Sequence, residues 1–462
     1  MKSMAITRSL TMLISLLASL GGSMLPIPVA GQSISEIIDM TGDGGGNTFE
    51  EPEFDGLCVD ELGNVYISAD ASDNVFKIAP GGGITQIIDS TGDGAGNILQ
   101  RPHGVAVDSK GNVFVAGRAS DNVFKITPGG AVMEVMDATG DGSSPLVSPR
   151  GIAIDGDDNV FVAGFFSDNV FKITPMEVVM EIIDSTGDGS GNELNGARDV
   201  AVDDSGNVFV TGAVSWNAFR IEPGGAITEI IDDTGDGLGN ILLSPAGIAV
   251  DSLGNVFVAG NASNFVFKIT PGGDKSWIID ANGDGTNSLN APLCLATDSL
   301  DNVYVTCFVT TYNAFRITPK GQIMQIIDTT GDGMGNLLEA PSAIAADASG
   351  NVYVAGALTD NAFRIDSPFD LFIRGDGNGD ETVDLVDAIL CLDYIFSGSP
   401  ATCLDLLDLD DNGQVTITDA FRIICWMFCA PNAPPPEPPF PGCGADPSIE
   451  DPLDCEMTPA CP

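Results

Sequence analysis

Between residues 34 and 366 the chain alternates short apolar runs with short polar ones on a fixed schedule. The stretch 104–150 shows it: GVAVD, then NVFVAG, NVFKI and VMEVMD, separated by polar segments rich in Gly, Asp, Asn and Pro. Runs of this length, with alternating β-branched and aromatic residues between turn formers, predict strands. Anchored on Asn-Val-aromatic, the copies begin at Asn64, Asn112, Asn159, Asn207, Asn255, Asn302 and Asn351, in steps of 47 to 49 residues. Four short strands at that period predict the blade of a β-propeller.

Within a unit the first strand, of the GVAVD type, is small and apolar and is expected next to the central axis. The turn D-x-x-G-N follows. Its Asp (Asp60, Asp108, Asp155, Asp203, Asp251, Asp298, Asp347) can accept backbone N–H groups, and its Gly supplies a positive φ. Two copies carry Asp158 and Asp301 in place of that Gly, and Asp tolerates the left-handed region. The third strand repeats one basic residue, Lys77, Lys125, Lys172, Arg220, Lys268, Arg316 or Arg364. A solvated or acid-paired strand face is the expectation there, ahead of a ligand-binding ring. The last unit stops after Asn361 to Ile365, whereas Ser33 to Asp39 reads as a fourth strand lacking its first three. The fold class expected is therefore mainly β, a seven-bladed β-propeller over 31–368 closed by the N-terminal strand, which removes free sheet edges.

The GVAVD and GNVYVA segments and the N-x-[FA]-[KR]-I strand resemble NHL-type propeller repeats. That resemblance implies the propeller fold. It leaves function open, because similar propellers include binding modules, scaffolds and a few enzymes that use histidines or metal ligands near the channel. The chain has one histidine, His103. No carboxylate pair departs from the repeat pattern, and no copy is specialised. Catalytic residues and cofactor-binding residues are accordingly none.

Each fourth strand runs into an acidic loop of the form D-x-T-G-D-G-x-G-N. The copy Asp280-Ala-Asn282-Gly-Asp284-Gly opens like a calcium loop, with oxygen donors at positions 1, 3 and 5 and Gly at 6. These loops and the SDN loops are expected on one face.

After Asp366 the repeat ends and a different pattern begins. Asp376, Asn378, Asp380, Thr382, Asp384 and Asp387 place oxygens along one 12-residue loop. Asp408, Asp410, Asn412, Gln414, Thr416 and Asp419 do so again 32 residues later. Such spacing wraps one Ca²⁺, and each loop leads into an apolar, helix-compatible stretch. The pair resembles a type I dockerin, which ends each loop with Asp as Asp387 and Asp419 do. Glu381 departs from the Gly expected at position 6. Leu385, Val386, Ile417 and Thr418 stand at the family's partner-recognition positions without the hydroxyl pairs often found there. The resemblance implies a calcium-dependent α-helical domain over 370–430 that docks to a cohesin-type protein or a cell-surface assembly.

Composition narrows the function further. With 65 acidic against 18 basic residues the formal charge is −47, which disfavours nucleic acid and anionic membranes as partners. Residues 1–30, with Lys2, Arg8 and the apolar run Leu10 to Leu20, read as a signal peptide. A secreted or cell-surface location follows as an expectation. Of ten cysteines, seven lie between Cys391 and Cys461, a density that suggests disulfides in an exported chain. Cys294 and Cys307 on neighbouring strands are a further candidate bridge. A Pro- and Cys-rich tail, 431–462, completes the chain. The expectation is a secreted, calcium-dependent binding or scaffolding protein that meets a glycan or protein ligand on its propeller. The alternative is a dockerin-tethered polysaccharide-degrading enzyme, a lyase or glycoside hydrolase.

Overall fold

Each Asn-Val-aromatic repeat folds as four antiparallel strands. In a computed structural model, the structure describes residues 33–366, 375, 383, 385–397, 407–409 and 414–428. The described residues hold seven four-stranded sheets. The third blade is typical, with Pro149–Ile154, Val160–Gly164, Asn169–Ile173 and Val179–Ile183 paired in that order. Its second strand, VFVAG, is buried throughout, as both faces of a mid-blade strand meet neighbouring blades. First strands of adjacent blades pack in a closed ring that includes Pro341–Ala346 against Leu57–Val59. Ile34–Ile38 pairs antiparallel with Asn361–Ile365, with Ile34 opposite Ile365.

The turns form as their residues dictate. In D-x-x-G-N, Asp60 Oδ1 accepts the N–H groups of Leu62 and Asn64 at 3.0 and 2.8 Å. Asp158 and Asp301 have φ of 62° and 61° where the other copies use Gly. In the acidic loop the first Gly is fixed by packing. A Cβ on Gly140 would lie 2.0 Å from the Ser144 carbonyl oxygen and 2.9 Å from the Phe171 ring of the next blade. The loop thus caps that fully buried ring. Blades are also latched. Asp73, Asp121, Asp168 and Asp360, all at positive φ, accept the N–H of Arg101, Ser148, Gly196 and Glu51 in the following blade at 2.6 to 2.8 Å. SDN loops and acidic loops meet on one face, as where Gln100 N–H donates to Ser120 Oγ at 3.1 Å.

One expectation is extended here and one needs correction. Among the recurrent basic residues, Lys125, Arg220 and Arg364 are acid-paired as expected, to Glu177, Glu222 and Asp366 at 3.8, 2.9 and 3.0 Å. Lys77, Lys125, Lys172 and Lys268 lie 5.4 to 5.7 Å over the ring centroid of the aromatic residue opposite them on the second strand. Cys294 and Cys307 do not bridge; both are free and buried. The register slips between Pro292 and Leu295, and the Cys294 thiol instead donates to the Ser342 carbonyl of the next blade at 2.9 Å.

The chain divides into two compact units, one of them 33–369 and the other including 370–462. In the second, the helices Leu385–Ser397 and Ile417–Phe428 pack together. Ala388, Leu409 and Ile423 form one small core, and Cys391, Leu407 and Ala420 another. Cys391, one of the seven cysteines whose density suggests disulfides, is a free buried thiol. Asp376, Asn378, Asp380, Thr382, Asp384, Asp410 and Asn412 lie outside the described residues, as do 1–30 and 431–462. Among the described residues no helix is long and apolar enough to cross a membrane.

Candidate functional site

The first strands open with a repeated triplet: Pro102-His103-Gly104, Pro149-Arg150-Gly151, Ala197-Arg198-Asp199, Pro245-Ala246-Gly247, Pro292-Leu293-Cys294 and Pro341-Ser342-Ala343. The third position presses on the next blade. A Cβ on Gly104 would lie 2.3 Å from the Arg150 carbonyl oxygen, and one on Gly151 would lie 2.7 Å from Cα of Asp199. The middle position is left to face the axis. Blade 1 breaks the triplet with two extra residues, Pro52-Glu53-Phe54-Asp55-Gly56, and its first strand shrinks to Leu57–Val59.

The extra residues fill one side of the axial mouth. Phe54 is 3% exposed and shares a core cluster with Ala246 and Leu293, the middle residues of blades 5 and 6. Ser342 Oγ of blade 7 donates to the Pro52 carbonyl at 2.6 Å. Blades 5 to 7 thus present small or apolar middle residues to the blade 1 insertion. Blades 2 to 4 present His103, Arg150 and Arg198 instead.

On that polar side Asp70, fully buried, holds two guanidinium groups. Arg101 Nε lies 2.6 Å from its Oδ1 and Arg118 lies 3.0 Å from its Oδ2. The Asp70 contact raises the Arg101 pKa. His103 is buried, and burial together with Arg118, Arg150, Arg198 and Arg101 holds its pKa well below the usual histidine range. The imidazole is therefore neutral near pH 7. Its Nε2 lies 3.7 Å from Glu53 and 3.8 Å from Asp70, too far for hydrogen bonds, and neither ring nitrogen has a hydrogen-bond partner. Burial, then Asp70, pushes the Glu53 carboxyl up.

Arg150 and Arg198 differ from Arg101 and Arg118. Among the described residues neither forms an ion pair, and their buried Nε atoms have no hydrogen-bond partner. Their guanidinium groups lie instead over aromatic rings, Arg150 3.6 Å from the Phe165 centroid and Arg198 4.5 Å from that of Phe54. Burial, with Arg198 and Arg118 adding repulsion, pulls the Arg150 pKa down to about 10, and burial lowers that of Arg198. Both remain charged at pH 7. Each is only half-buried, so both side chains remain in part open to solvent.

Glu53, Asp70 and His103 bring three ligand-type atoms within 4.8 Å of one another. A divalent cation there would have to displace both guanidinium groups from Asp70, so the cluster acts as an ion-pair network. The Asp55 and Asp199 carboxyls are buried beside each other, and burial raises both, which places them to share one proton. Asp199 also accepts the N–H groups of Val200 and Ile248 at 2.7 and 2.8 Å. The Cys294 thiol lies 3.5 Å from Asp55 Oδ1.

The residues singled out in the sequence fall elsewhere. Asp280 accepts the N–H of Asn282 at 2.9 Å and its amide at 3.1 Å, and Asp284 accepts from Thr286 and Asn287 at 2.6 to 2.9 Å. The loop therefore satisfies its own carboxylates. In the helical unit Asp387, Asp408 and Asp419 are fully buried. Asp419 accepts from Leu409 N–H at 3.0 Å and Thr416 N–H at 2.7 Å, and Thr416 caps the helix through Thr418 N–H at 3.2 Å. Asp408 accepts the N–H of Gln414 at 3.2 Å.

Sequence reasoning missed the axial mouth, and His103 is not an isolated residue. The available signal was the middle of the triplet, where polar residues occupy three consecutive blades, together with the two-residue insertion.

Fold and site together define a seven-bladed β-propeller with a one-sided, arginine-bearing mouth. The SBBP β-propeller repeat model matches residues 84–125 and 236–267. No curated protein sequence matches the chain. Among solved structures, virginiamycin B lyase from Staphylococcus aureus is 16% identical, with a TM-score of 0.57 over 72% of this chain and 99% of that one. A streptogramin B lyase structure is also 16% identical, with a TM-score of 0.56 over 74% and 99%. Kuenenia stuttgartiensis hydrazine synthase is 15% identical, with a TM-score of 0.51 over 69% and 96%. At these identities the likeness shows the fold alone.

Proposed function

We propose that the chain is a secreted or cell-surface binding protein whose propeller captures a ligand at its axial mouth. The observation that carries this reading is the pair Arg150 and Arg198. Neither guanidinium closes an ion pair among the described residues, although Glu53 acts on both from a distance and Asp55 and Asp199 act on Arg198. Their buried Nε–H groups have no partner in the protein. A ligand-binding role would use them. Phe165, Phe166 and Val214 adjoin the mouth, with Phe166 and Val214 exposed, and extend a contact surface over blades 3 and 4.

On this reading the C-terminal unit is a dockerin-like tether that takes Ca²⁺ on Asp376, Asn378, Asp380, Thr382, Asp384 and Asp387, and on Asp408, Asp410, Asn412, Gln414, Thr416 and Asp419. It docks to a cohesin-type partner. The support is the paired loop spacing and the burial of Asp387, Asp408 and Asp419, three carboxylates that a cation would neutralise. A second reading, an enzyme acting at the same mouth, is favoured by one observation: His103 is neutral, buried and without a hydrogen-bond partner. It is then the group able to take a proton from a bound substrate.

A glycan and peptide array probed with the full chain tests the binding reading. Binding that is lost in Phe166→Ala and Val214→Ser variants of unchanged melting temperature supports it. Binding untouched by both variants refutes it. Product formation from any captured glycan would favour the enzyme.

A further inference from the structure

The ligand's chemistry can be narrowed from the same mouth, and this step rests on the binding reading above. Arg150 and Arg198 are the middle residues of adjacent blades, whose triplets touch where a Cβ on Gly151 would lie 3.0 Å from the Arg198 carbonyl oxygen. Neither forms an ion pair among the described residues, the carboxylates Glu53, Asp55 and Asp199 acting on them only from a distance. Two such guanidinium groups mark a position for an anion that both can reach. Guanidinium groups meet carboxylates through paired N–H donors, a match of geometry as well as charge. Each guanidinium already lies flat on a ring. Its plane is thereby fixed, which leaves the edge N–H groups as the means of contact. His103, neutral and unpaired, adds a donor or acceptor on the same side.

The apolar part of the ligand is indicated by what adjoins the anion position. Phe165 carries Arg150 on one face and meets Phe166 edge-on, with centroids 5.0 Å apart. Phe166 is 68% exposed and Val214 63%. A Cβ on Gly196 would lie 2.8 Å from Val214 and 3.3 Å from Phe165, so these three residues form one continuous strip. The missing side chain at Gly196 keeps that strip accessible. We infer that the axial mouth binds a carboxylate carried on a ring, with the carboxylate between Arg150 and Arg198 and the ring against Phe165, Phe166 and Val214. Sugar acids and aromatic acids both present this combination.

The test is calorimetric titration of the full chain with D-galacturonate and benzoate, and with their neutral counterparts D-galactose and benzyl alcohol. The acids should bind at least about tenfold more tightly than the neutral compounds, the effect expected of charge-assisted hydrogen bonds. Arg150→Gln and Arg198→Gln should each weaken the acids by about tenfold, whereas Lys268→Gln, on the distant face of blade 5, should leave binding unchanged. Preference between galacturonate and benzoate separates the two ligand sources. Because an arginine variant could misfold, a melting-temperature series on the unaltered protein serves as a second measurement. The acids should raise it with concentration, and the neutral compounds should not. Equal binding of acid and neutral probes, or acid binding indifferent to both arginine substitutions, overturns the inference. Equal binding would leave the mouth as a binding site and remove only its charge selectivity. Failure of both acids to bind or to raise the melting temperature also overturns it.

Discussion

The carboxyl groups of Asp55 and Asp199, from blades three places apart in the ring, are buried beside each other and placed to share one proton. They meet because the two-residue insertion in blade 1 carries Asp55 across the axis, and because blade 4 has Asp199 where most blades need Gly. Burial raises both carboxyls, Asp199 well above the usual range. A raised folded pKa means that the pair's stabilisation is fully present below the unfolded carboxylate value of about 4. It is lost as pH rises and the shared proton leaves. Asp55→Asn keeps a donor towards Asp199 without needing that proton. Its melting temperature should gain on the parent protein as pH rises from 5 to 9, followed by differential scanning calorimetry. Parallel curves would rule out the shared proton.

Phe54 is the apolar half of the same insertion. Phe54→Ala should cost about 3–5 kcal/mol in urea unfolding, the range for emptying a buried aromatic site. Leu62→Ala, at a residue 80% exposed, should be nearly silent. A small loss at Phe54 would mean that the insertion does not plug the axis.

Trp216 occupies the position where four blades carry a latching Asp, and it does so at φ 59°. Its indole has no acceptor for the next blade's N–H, and a bulky side chain is strained in the left-handed region. Trp216→Asp should stabilise the propeller by about 1 kcal/mol, the net value of one hydrogen bond. A drop in melting temperature would show that Trp216 makes a contact worth more than the latch.

Asp419 has two readings that calcium titration can separate. Its carboxylate accepts the Thr416 N–H while Thr416 Oγ1 accepts the Thr418 N–H, so the two residues cap the start of the helix. That arrangement alone would explain its burial. If the loops bind Ca²⁺, the full chain should take up about two ions, and Asp410→Asn should abolish one of them. If Asp419 only caps a helix, Asp410→Asn will change nothing.

The blade architecture was legible because its determinants are local. Asn-Val-aromatic strands, the D-x-x-G-N turn and its Asp158 and Asp301 variants act within a few residues of themselves. The axial mouth was not legible for the opposite reason. Asp55, His103, Arg150 and Arg198 each stand alone in a separate repeat and become neighbours only when the ring closes. Regular repeats also hide substitutions: Arg150 and Arg198 sit inside triplets that otherwise match. The insertion was visible as a length change, but only packing shows that Phe54 reaches Ala246 and Leu293. Cys294 misled for a related reason, since a register slip turned it from Cys307 toward the next blade.

The most direct measurement is a crystal structure of the full chain grown with D-galacturonate. The account predicts the ligand's carboxylate between the Arg150 and Arg198 guanidinium groups, with its ring on the Phe165 strip. A side-chain carboxylate of the protein seated between those two arginines, or galacturonate bound elsewhere with the mouth empty, would contradict it.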